Sequence, residues 1–202
     1  MNKRNIGVTI IVLAVVLSMT PQPVFAGSGQ MSSNYDDGGH WAQFGSSAQD
    51  WPYYEKVGVW SHGLGFQTGG GAWVGAVDED ISGSHSFKMT ADIRLYAFVE
   101  ADGIGSTALV EVWFVIRDAD TKNELWKAKV WSFSRMNFEY KSFSGTISEL
   151  NPSSFSIDSP SDDYLFCVEF RGYTSFNGRV CKNGDKPDQK AILYVDKITW
   201  QW

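Results

Sequence analysis

Aromatic and charged side chains occur together in the middle of the chain, in a mixture that could bind a sugar. A flat aromatic ring covers the C–H face of a sugar, and neighbouring carboxylates and cations hydrogen-bond its hydroxyl groups. The predicted ligand-binding residues are Arg94, Tyr96, Phe98, Glu111, Trp113, Lys129 and Trp131. Asp92 and Lys127 accompany them on the same alternating positions. Alternatively, another strand, loop or subunit covers this set, because an exposed patch of this kind usually marks a contact.

Carboxylates on or near the same strands could instead hydrolyse a glycosidic bond. Such hydrolysis needs two carboxyl groups about 5 to 10 Å apart, one of them with a raised pKa. The candidates are Asp92, Glu100, Glu111 and Glu139. Glu111 is the best single candidate because Trp113 and Trp131 could desolvate it, but nothing in the sequence pairs it with a second acid. The sequence therefore favours a protein without catalytic residues, and a small glycoside hydrolase or lyase is an alternative.

Other residues that could carry chemistry lack the spacing of known sites. His40, His62 and His85 are scattered, without the His-x-His or Cys-x-x-Cys spacing of a zinc site. Asp118 and Asp120 lie in a segment without the central glycine and the spacing of an EF-hand calcium loop. No Gly-x-Ser-x-Gly sequence is present to hold a nucleophilic serine. We interpret these residues as polar turns and surface positions.

A long strand and a hairpin position the predicted ligand-binding residues. Every second residue from Phe87 to Val99 is apolar, which is the pattern of a strand with one buried face. Two further strands, at 108–117 and 125–133, flank a polar turn. Placing Asp118 opposite Glu124 gives an apolar face with the pairs Ile116–Trp126, Phe114–Ala128 and Val112–Val130. The opposite face then has the pairs Val115–Lys127, Trp113–Lys129 and Glu111–Trp131. A one-residue slip would bury two lysines, so this register is well specified.

The rest of the chain has the pattern of short strands and turns. No segment has convincing helical periodicity, and turn residues recur along the sequence. Glycines crowd between residues 63 and 75 without a Gly-Lys-Ser/Thr sequence, so they predict tight turns and bulges rather than a phosphate-binding loop. The sequence therefore predicts an all-β protein built as an antiparallel β-sandwich.

The C-terminal strand adds a family resemblance. The sequence Tyr194-Val195-Asp196-Lys197-Ile198-Thr199-Trp200 resembles the final strand of secreted jelly-roll carbohydrate-binding modules and their galactose-binding-like relatives. The apolar positions change parity at Asp196 and Lys197, which predicts a β-bulge there. The resemblance implies a jelly-roll sandwich, a glycan ligand and Asp196 as a ligand of a structural Ca²⁺. Lys197 departs from the family pattern, because many members carry a second acid at this position.

The chain is predicted to contain an export signal followed by one domain. Residues 1–26 have a basic start, an uncharged apolar run and the small-residue ending of a secretory signal peptide. Residues 27–39 are Gly-, Ser- and Asn-rich and are predicted to be a flexible lead-in. Residues 40–202 then form a single β-sandwich domain, and none of its segments is apolar enough to span a membrane.

Cys167 and Cys181 are the two cysteines of the chain. An even number of cysteines in an exported protein predicts a disulfide bond. Two free buried thiols are the alternative.

The formal net charge is −6, and no basic stripe is present, so nucleic acid is not an expected partner. The preferred hypothesis is a secreted, non-catalytic β-sandwich that recognises a glycan through an aromatic strand face. The alternative is a cell-envelope or extracellular assembly protein that uses this face for a protein–protein contact. The oligomeric state stays open.

Overall fold

A computed structural model describes residues 27–79, 81, 85–150, 155–157 and 163–202. The described residues form thirteen β-strands and one short 3-10 helix, η1 (Pro52–Tyr54). The first seven strands are β1 (Ser28–Met31), β2 (Asp37–Ala42), β3 (Ser46–Trp51), β4 (Lys56–His62), β5 (Thr68–Asp78), β6 (Ser86–Ala101) and β7 (Thr107–Asp118). The others are β8 (Glu124–Met136), β9 (Glu139–Leu150), β10 (Phe155–Ser156), β11 (Tyr164–Ser175), β12 (Gly178–Val180) and β13 (Ile192–Gln201).

The strands form two antiparallel sheets that pack face to face. The five-stranded sheet has the order β2-β5-β11-β7-β8. The eight-stranded sheet contains β1, β3, β4, β6, β9, β10, β12 and β13. The antiparallel β-sandwich of jelly-roll type that the sequence predicts is therefore confirmed.

The core lies between the two sheets and follows the predicted alternation of β6. Its apolar set, from Phe87 to Val99 in steps of two, is at most 2% exposed. The Phe87 ring meets the rings of Tyr164 and Phe166 from the other sheet at centroid distances of 5.2 and 5.7 Å. Burial of each large apolar side chain contributes about 1.5–3 kcal/mol, so this interlocked layer is the main source of stability.

The β7–β8 hairpin keeps the predicted register only from Trp113 to Ile116. Next to the turn the register shifts between Ile116 and Arg117, so Arg117 lies opposite Glu124 and the predicted Asp118–Glu124 pair is wrong. Ile116 pairs with Trp126, and Trp113 pairs with Lys129, as predicted. The register then shifts between Trp113 and Val112, which lies opposite Trp131 instead of Val130. The predicted Glu111–Trp131 pair is therefore wrong, and Glu111 lies opposite Ser132. This β-bulge turns the Trp131 side chain toward the core.

Two segments that the sequence assigns to irregular structure belong to the sheets. The predicted flexible lead-in, residues 27–39, contains β1 and the start of β2. Several of the clustered glycines lie inside β5 rather than in turns. The opposing strands explain both differences, because large aromatic rings lie where the glycines lack a side chain. Trp200, for example, lies opposite Gly29 in the β1–β13 pair.

The structure contradicts the predicted disulfide, because both cysteines are free. Cys167 is buried on the outer side of the five-stranded sheet, against Trp73 and Leu165. Cys181 follows β12 of the eight-stranded sheet and packs against the core between the sheets. The two thiols therefore lie on different faces of different sheets.

The predicted signal peptide, residues 1–26, lies outside the described residues. Among the residues that the structure describes, no helix has the length and apolar character needed to cross a membrane.

Candidate functional site

The outer side of the five-stranded sheet combines aromatic rings with a network of ion pairs, and we call this surface the aromatic face. It consists of Trp41, Trp73, Glu111, Trp113, Arg117, Lys129, Glu169, Arg171 and Tyr173. Strand alternation places them there. On β7 and β11 the intervening residues, such as Phe114 and Phe170, point into the core.

Glycines directly opposite the rings shape this surface. Trp41 pairs with Gly71, Gly39 with Trp73, and Tyr173 with Gly69. A Cβ atom at Gly71 would lie 2.7 Å from Trp41 Nε1. At Gly69 it would lie 2.5 Å from Tyr173 Cδ1.

No larger residue fits at these positions without moving a ring. The rings therefore lie across the backbone of neighbouring strands instead of standing upright from their own strands.

Glu169 anchors the centre of the aromatic face. Its side chain is fully buried and accepts hydrogen bonds from three donors. These are Trp41 Nε1 at 3.0 Å, Arg171 Nε at 2.9 Å and an Arg117 terminal nitrogen at 2.7 Å. Burial alone would raise the pKa of Glu169, but the hydrogen bond and charge of Arg171, together with Trp41 and Arg117, outweigh it and lower the pKa below 4.5. The carboxylate is therefore ionised, and it fixes the Trp41 ring.

A second carboxylate fixes Trp113. Glu111 is only 6% exposed and accepts hydrogen bonds from Trp113 Nε1 at 2.8 Å and Lys129 Nζ at 3.0 Å. The Arg171 guanidinium lies 4.7 Å from the Trp113 ring centroid, in cation–π contact. The orientation of Trp113 is thus set by its N–H group and by a charge over its ring.

Tyr173 and a neighbouring depression extend the aromatic face along the sheet. The Tyr173 ring lies 6.1 Å from the Trp41 ring, and its pKa is raised above 10.0, mainly by burial, so its hydroxyl stays neutral. Beside it lies a depression of about 360 Å³. Gln43, Thr68 and Thr107 line this depression, and the exposed Gln43 amide and Thr107 hydroxyl can exchange hydrogen bonds with a polar ligand. The Thr68 hydroxyl is buried and donates to the Phe44 carbonyl.

The structure brings together only part of the predicted ligand-binding set. Glu111, Trp113 and Lys129 lie together on the aromatic face. Arg94, Tyr96 and Phe98 belong to β6 and point outward from the eight-stranded sheet, on the other side of the sandwich. The prediction that all seven share one face is therefore wrong, because alternation gives the parity of a residue but not the sheet in which its strand lies.

The outer side of the eight-stranded sheet has its own contacts. Arg94 lies over the ring of Tyr194 at 4.8 Å, and Lys190 Nζ lies 3.9 Å from the Tyr96 ring centroid. Phe98 is nearly buried. Trp131 is on neither outer surface: it stacks on Phe133 at 5.9 Å and packs against the core.

Each of the carboxylates considered for hydrolysis has a polar or charged partner. Asp92 accepts a backbone hydrogen bond from Glu149, and Glu100 lies within 3.7 Å of Arg179. Glu139 is near Arg135. Glu111, the best sequence candidate, has Glu169 on the adjacent strand, and because Glu169 is ionised it cannot serve as the proton donor.

The residues around Asp196 do not fit the calcium site that the family resemblance implies. The predicted β-bulge is present, with a register shift between Val195 and Lys197. Arg94 Nε contacts both carboxylate oxygens of Asp196 at 2.9 and 3.0 Å. In the described part of the chain, no three His, Cys, Asp or Glu side chains gather as metal ligands.

Sequence reasoning missed six residues of the aromatic face: Trp41, Trp73, Arg117, Glu169, Arg171 and Tyr173. The segment from 172 onward reads as a polar loop, whereas β11 continues to Ser175. The signal that could have found them is the glycine cluster of β5, because glycines in a long strand indicate that another group lies close to the backbone.

The chain was compared with known proteins at the levels of sequence and structure. No protein-family model matches the sequence, and no curated protein matches it. Among solved structures, it is similar to a family 11 carbohydrate-binding module from Clostridium thermocellum in complex with a β-1,3-1,4-mixed-linked tetrasaccharide. That similarity has a TM-score of 0.33 and 11% identity, over 86% of this chain and 95% of the other.

Two further solved structures show similarity of the same order. One is the CBM22-2 xylan-binding domain from Paenibacillus barcinonensis Xyn10C, with a TM-score of 0.30 and 12% identity, over 86% of this chain and 98% of that one. The other is TmCBM61 in complex with β-1,4-galactotriose, with a TM-score of 0.26 and 8% identity, over 79% and 90% of the two chains. The structures similar to this chain thus include carbohydrate-binding modules, all at low identity and low TM-score.

Proposed function

We propose that this protein is a secreted, non-catalytic module that binds a glycan chain on the aromatic face. The observation that supports the proposal most is the set of rings held across glycines, with their N–H groups tied to buried carboxylates. Such rings are fixed before a ligand arrives, so stacking a sugar on them costs little side-chain entropy. The predicted leader at residues 1–26 would deliver the module to extracellular or envelope glycans.

The layout of the rings suits an extended chain. Trp41 is on β2, Tyr173 on β11 and Trp113 on β7, and these strands span three inter-strand spacings. At about 4.8 Å per spacing, the strands that carry the rings extend over about 14 Å, which is long enough for a few consecutive sugar residues. The chain would therefore run across the strands, with the hydroxyl-lined depression beside Tyr173 along one side of its path, at the strand ends.

The charges of the aromatic face support recognition of hydroxyl groups rather than of ionic groups. Glu169 is paired with Arg117 and Arg171, and Glu111 is paired with Lys129. Arg171 also lies 3.7 Å from Glu124, so these three cations are matched by three carboxylates and do not demand an oppositely charged ligand. Neutral polysaccharides are the expected class.

Affinity electrophoresis of the protein without residues 1–26, in gels containing neutral polysaccharides, tests the proposal. Trp113→Ala should abolish the retardation of migration by the bound polysaccharide. Trp60→Ala is a matched control, because this indole is 38% exposed but lies on the eight-stranded sheet. Thermal unfolding of both variants should show folded proteins.

The proposal fails if Trp113→Ala keeps full retardation, or if the wild type is retarded by no polysaccharide. An oligomer that disappears on Trp113→Ala would instead favour the envelope or assembly role. Product release from a polysaccharide, abolished by Glu111→Gln, would favour a glycoside hydrolase or lyase.

A further inference from the structure

Loops at one end of the sandwich expose large apolar side chains, and we call this group the loop crown. It consists of Phe44, Leu64, Phe66, Ile104, Met136, Phe138 and Phe176. Ile104 is 88% exposed and Phe44 is 84% exposed. Each lies in or next to a connection between strands: β2–β3, β4–β5, β6–β7, β8–β9 or β11–β12. Single exposed apolar residues are ordinary, but one or more on each of five adjacent loops form a patch that calls for a contact.

Contacts between the loops show that the loop crown is one continuous surface. The Phe44 and Phe66 rings are 5.7 Å apart. Gly65 N donates to the Phe176 carbonyl at 2.9 Å, and this hydrogen bond joins the β4–β5 loop to the β11–β12 loop. The Phe176 ring in turn lies within 4 Å of the Cβ position of Gly105, in the β6–β7 loop.

The β8–β9 loop joins the same surface. Gly105 N donates to Asn137 Oδ1 at 2.8 Å, and Asn137 N donates to the Ser106 carbonyl at 3.1 Å. The β8–β9 loop, with Phe138, is thus fastened to the β6–β7 loop, with Ile104. The five loops form a connected end of the sandwich in which backbone groups bond from loop to loop.

Backbone conformation at the loop tips argues against a purely structural role. Leu64, Phe138 and Phe176 have φ values of 47°, 61° and 51°, in the left-handed region. Bulky residues are unfavourable there, and glycine or asparagine would be easier. These side chains are exposed, so the core gains nothing from them. Something outside the folded chain has to account for apolar residues at positions that disfavour them.

We propose that the loop crown inserts into the interfacial region of a lipid bilayer. Its tip segments contain no charged residue, and they are residues 43–46, 63–67, 103–106, 136–138 and 175–178. Asp102, Arg135 and Glu139 directly flank them and can stay among the headgroups. Separate apolar side chains on uncharged loops suit shallow insertion between lipids, in which apolar groups are buried and charged groups stay wet.

Two further features are compatible with a lipid surface and narrow its kind. Insertion into a region of low polarity requires paired backbone groups, and the loop-to-loop hydrogen bonds supply several of these pairs. The formal net charge of −6 opposes binding to anionic lipid, so the expected surface is zwitterionic. The loop crown borders the depression beside Tyr173 through Gln43 and Ser175, but its exposed apolar side chains are at the end of the sandwich and the rings of the aromatic face are on its side. The inference therefore rests on different side chains from those proposed to stack on a glycan.

Co-sedimentation with sucrose-loaded phosphatidylcholine vesicles tests the proposal on the protein without residues 1–26. The variant combines Ile104→Ser, Phe138→Asn and Phe176→Asn. It should lower the partition coefficient by about tenfold or more, because the apolar area that enters the interface is lost. Its melting temperature should be equal to or above that of the wild type, since asparagine accepts the left-handed conformation.

Tyr53→Ser is the matched control. Tyr53 is 79% exposed on η1, which connects β3 to β4 at the end of these strands that is opposite the loop crown. This control should bind vesicles as the wild type does. The proposal is overturned if the wild type does not sediment with the vesicles, or if the triple variant sediments as well as the wild type. It is also overturned if the crown substitutions abolish a concentration-dependent dimer while vesicle binding is absent, since the occupant would then be a second copy.

Discussion

Replacement of Glu169 by glutamine should destabilise the fold strongly, because three donors converge on this one buried carboxylate. Glutamine has nearly the same shape but no charge, so Arg117 would remain largely buried without a carboxylate partner, and Arg171 would keep only Glu124 at 3.7 Å. Its amide group would also place a donor among donors. Breaking a buried ion pair by removal of one partner costs about 3–5 kcal/mol. For a chain of this size, that corresponds to a fall in Tm of about 6–20 °C.

The pH dependence gives this prediction a second measurable part. The pKa of Glu169 is lowered below its ordinary value of 4.5 in the folded protein. Its contribution is therefore fully present above pH of about 4.5 and is lost as the pH falls through the lowered pKa. Urea unfolding at a series of pH values should show the gap between wild type and Glu169→Gln at pH 7 and its narrowing in acid.

Glu100→Gln is the control for this experiment. Glu100 lies 3.7 Å from Arg179 and 3.6 Å from Lys182 at a more exposed site on the eight-stranded sheet. Such pairs contribute at most about 1 kcal/mol, so this change should leave stability nearly unaltered. A Glu169→Gln protein within 1 kcal/mol of the wild type at pH 7, or a gap that grows in acid, would refute the reasoning about the buried network.

Three further predictions follow from single features. Gly71→Ala should weaken glycan binding strongly but lower Tm only slightly, because the new Cβ displaces the Trp41 ring. Calorimetric titration with an oligosaccharide that the wild type binds measures the first effect, and thermal unfolding measures the second. Thiol titration should detect two free cysteines in the unfolded protein, and in the folded protein Cys181 should react before the buried Cys167. A reductant should leave Tm unchanged, because there is no disulfide bond between them to reduce. Removal of calcium with EDTA should also leave Tm unchanged, since Asp196 is already paired with an arginine; a fall of several degrees would restore the calcium site.

Local sequence patterns predicted much of the fold because they depend on strand parity. The alternation of β6, the β7–β8 pairs from Trp113 to Ile116 and the bulge at Asp196 all follow from which residues are apolar. The register shift between Val112 and Trp113 did not follow, because Val130 and Trp131 are both apolar and either could face inward. One extra residue was enough to move Trp131 from the predicted site to the edge of the core.

The site was harder to predict than the fold because it depends on contacts between distant strands. The alternating pattern predicts an outward-facing side chain for both Tyr96 and Trp113, yet the two residues belong to opposite sheets. The ring of Trp41 is held by Gly71 and Glu169, which come from two other strands. Such a site becomes visible only when the register of three strands is known.

The most direct test of the aromatic face is to follow the indole N–H signals of the tryptophans by NMR. The probes are neutral hexasaccharides of cellulose, xylan, mannan and laminarin, and single Trp→Phe variants assign the signals. The signals of Trp41 and Trp113 should shift on saturable binding of one of these probes, while that of Trp60 stays in place. Shifts confined to Trp60 or Trp51, or no shift with any of the four, would contradict glycan recognition by this surface.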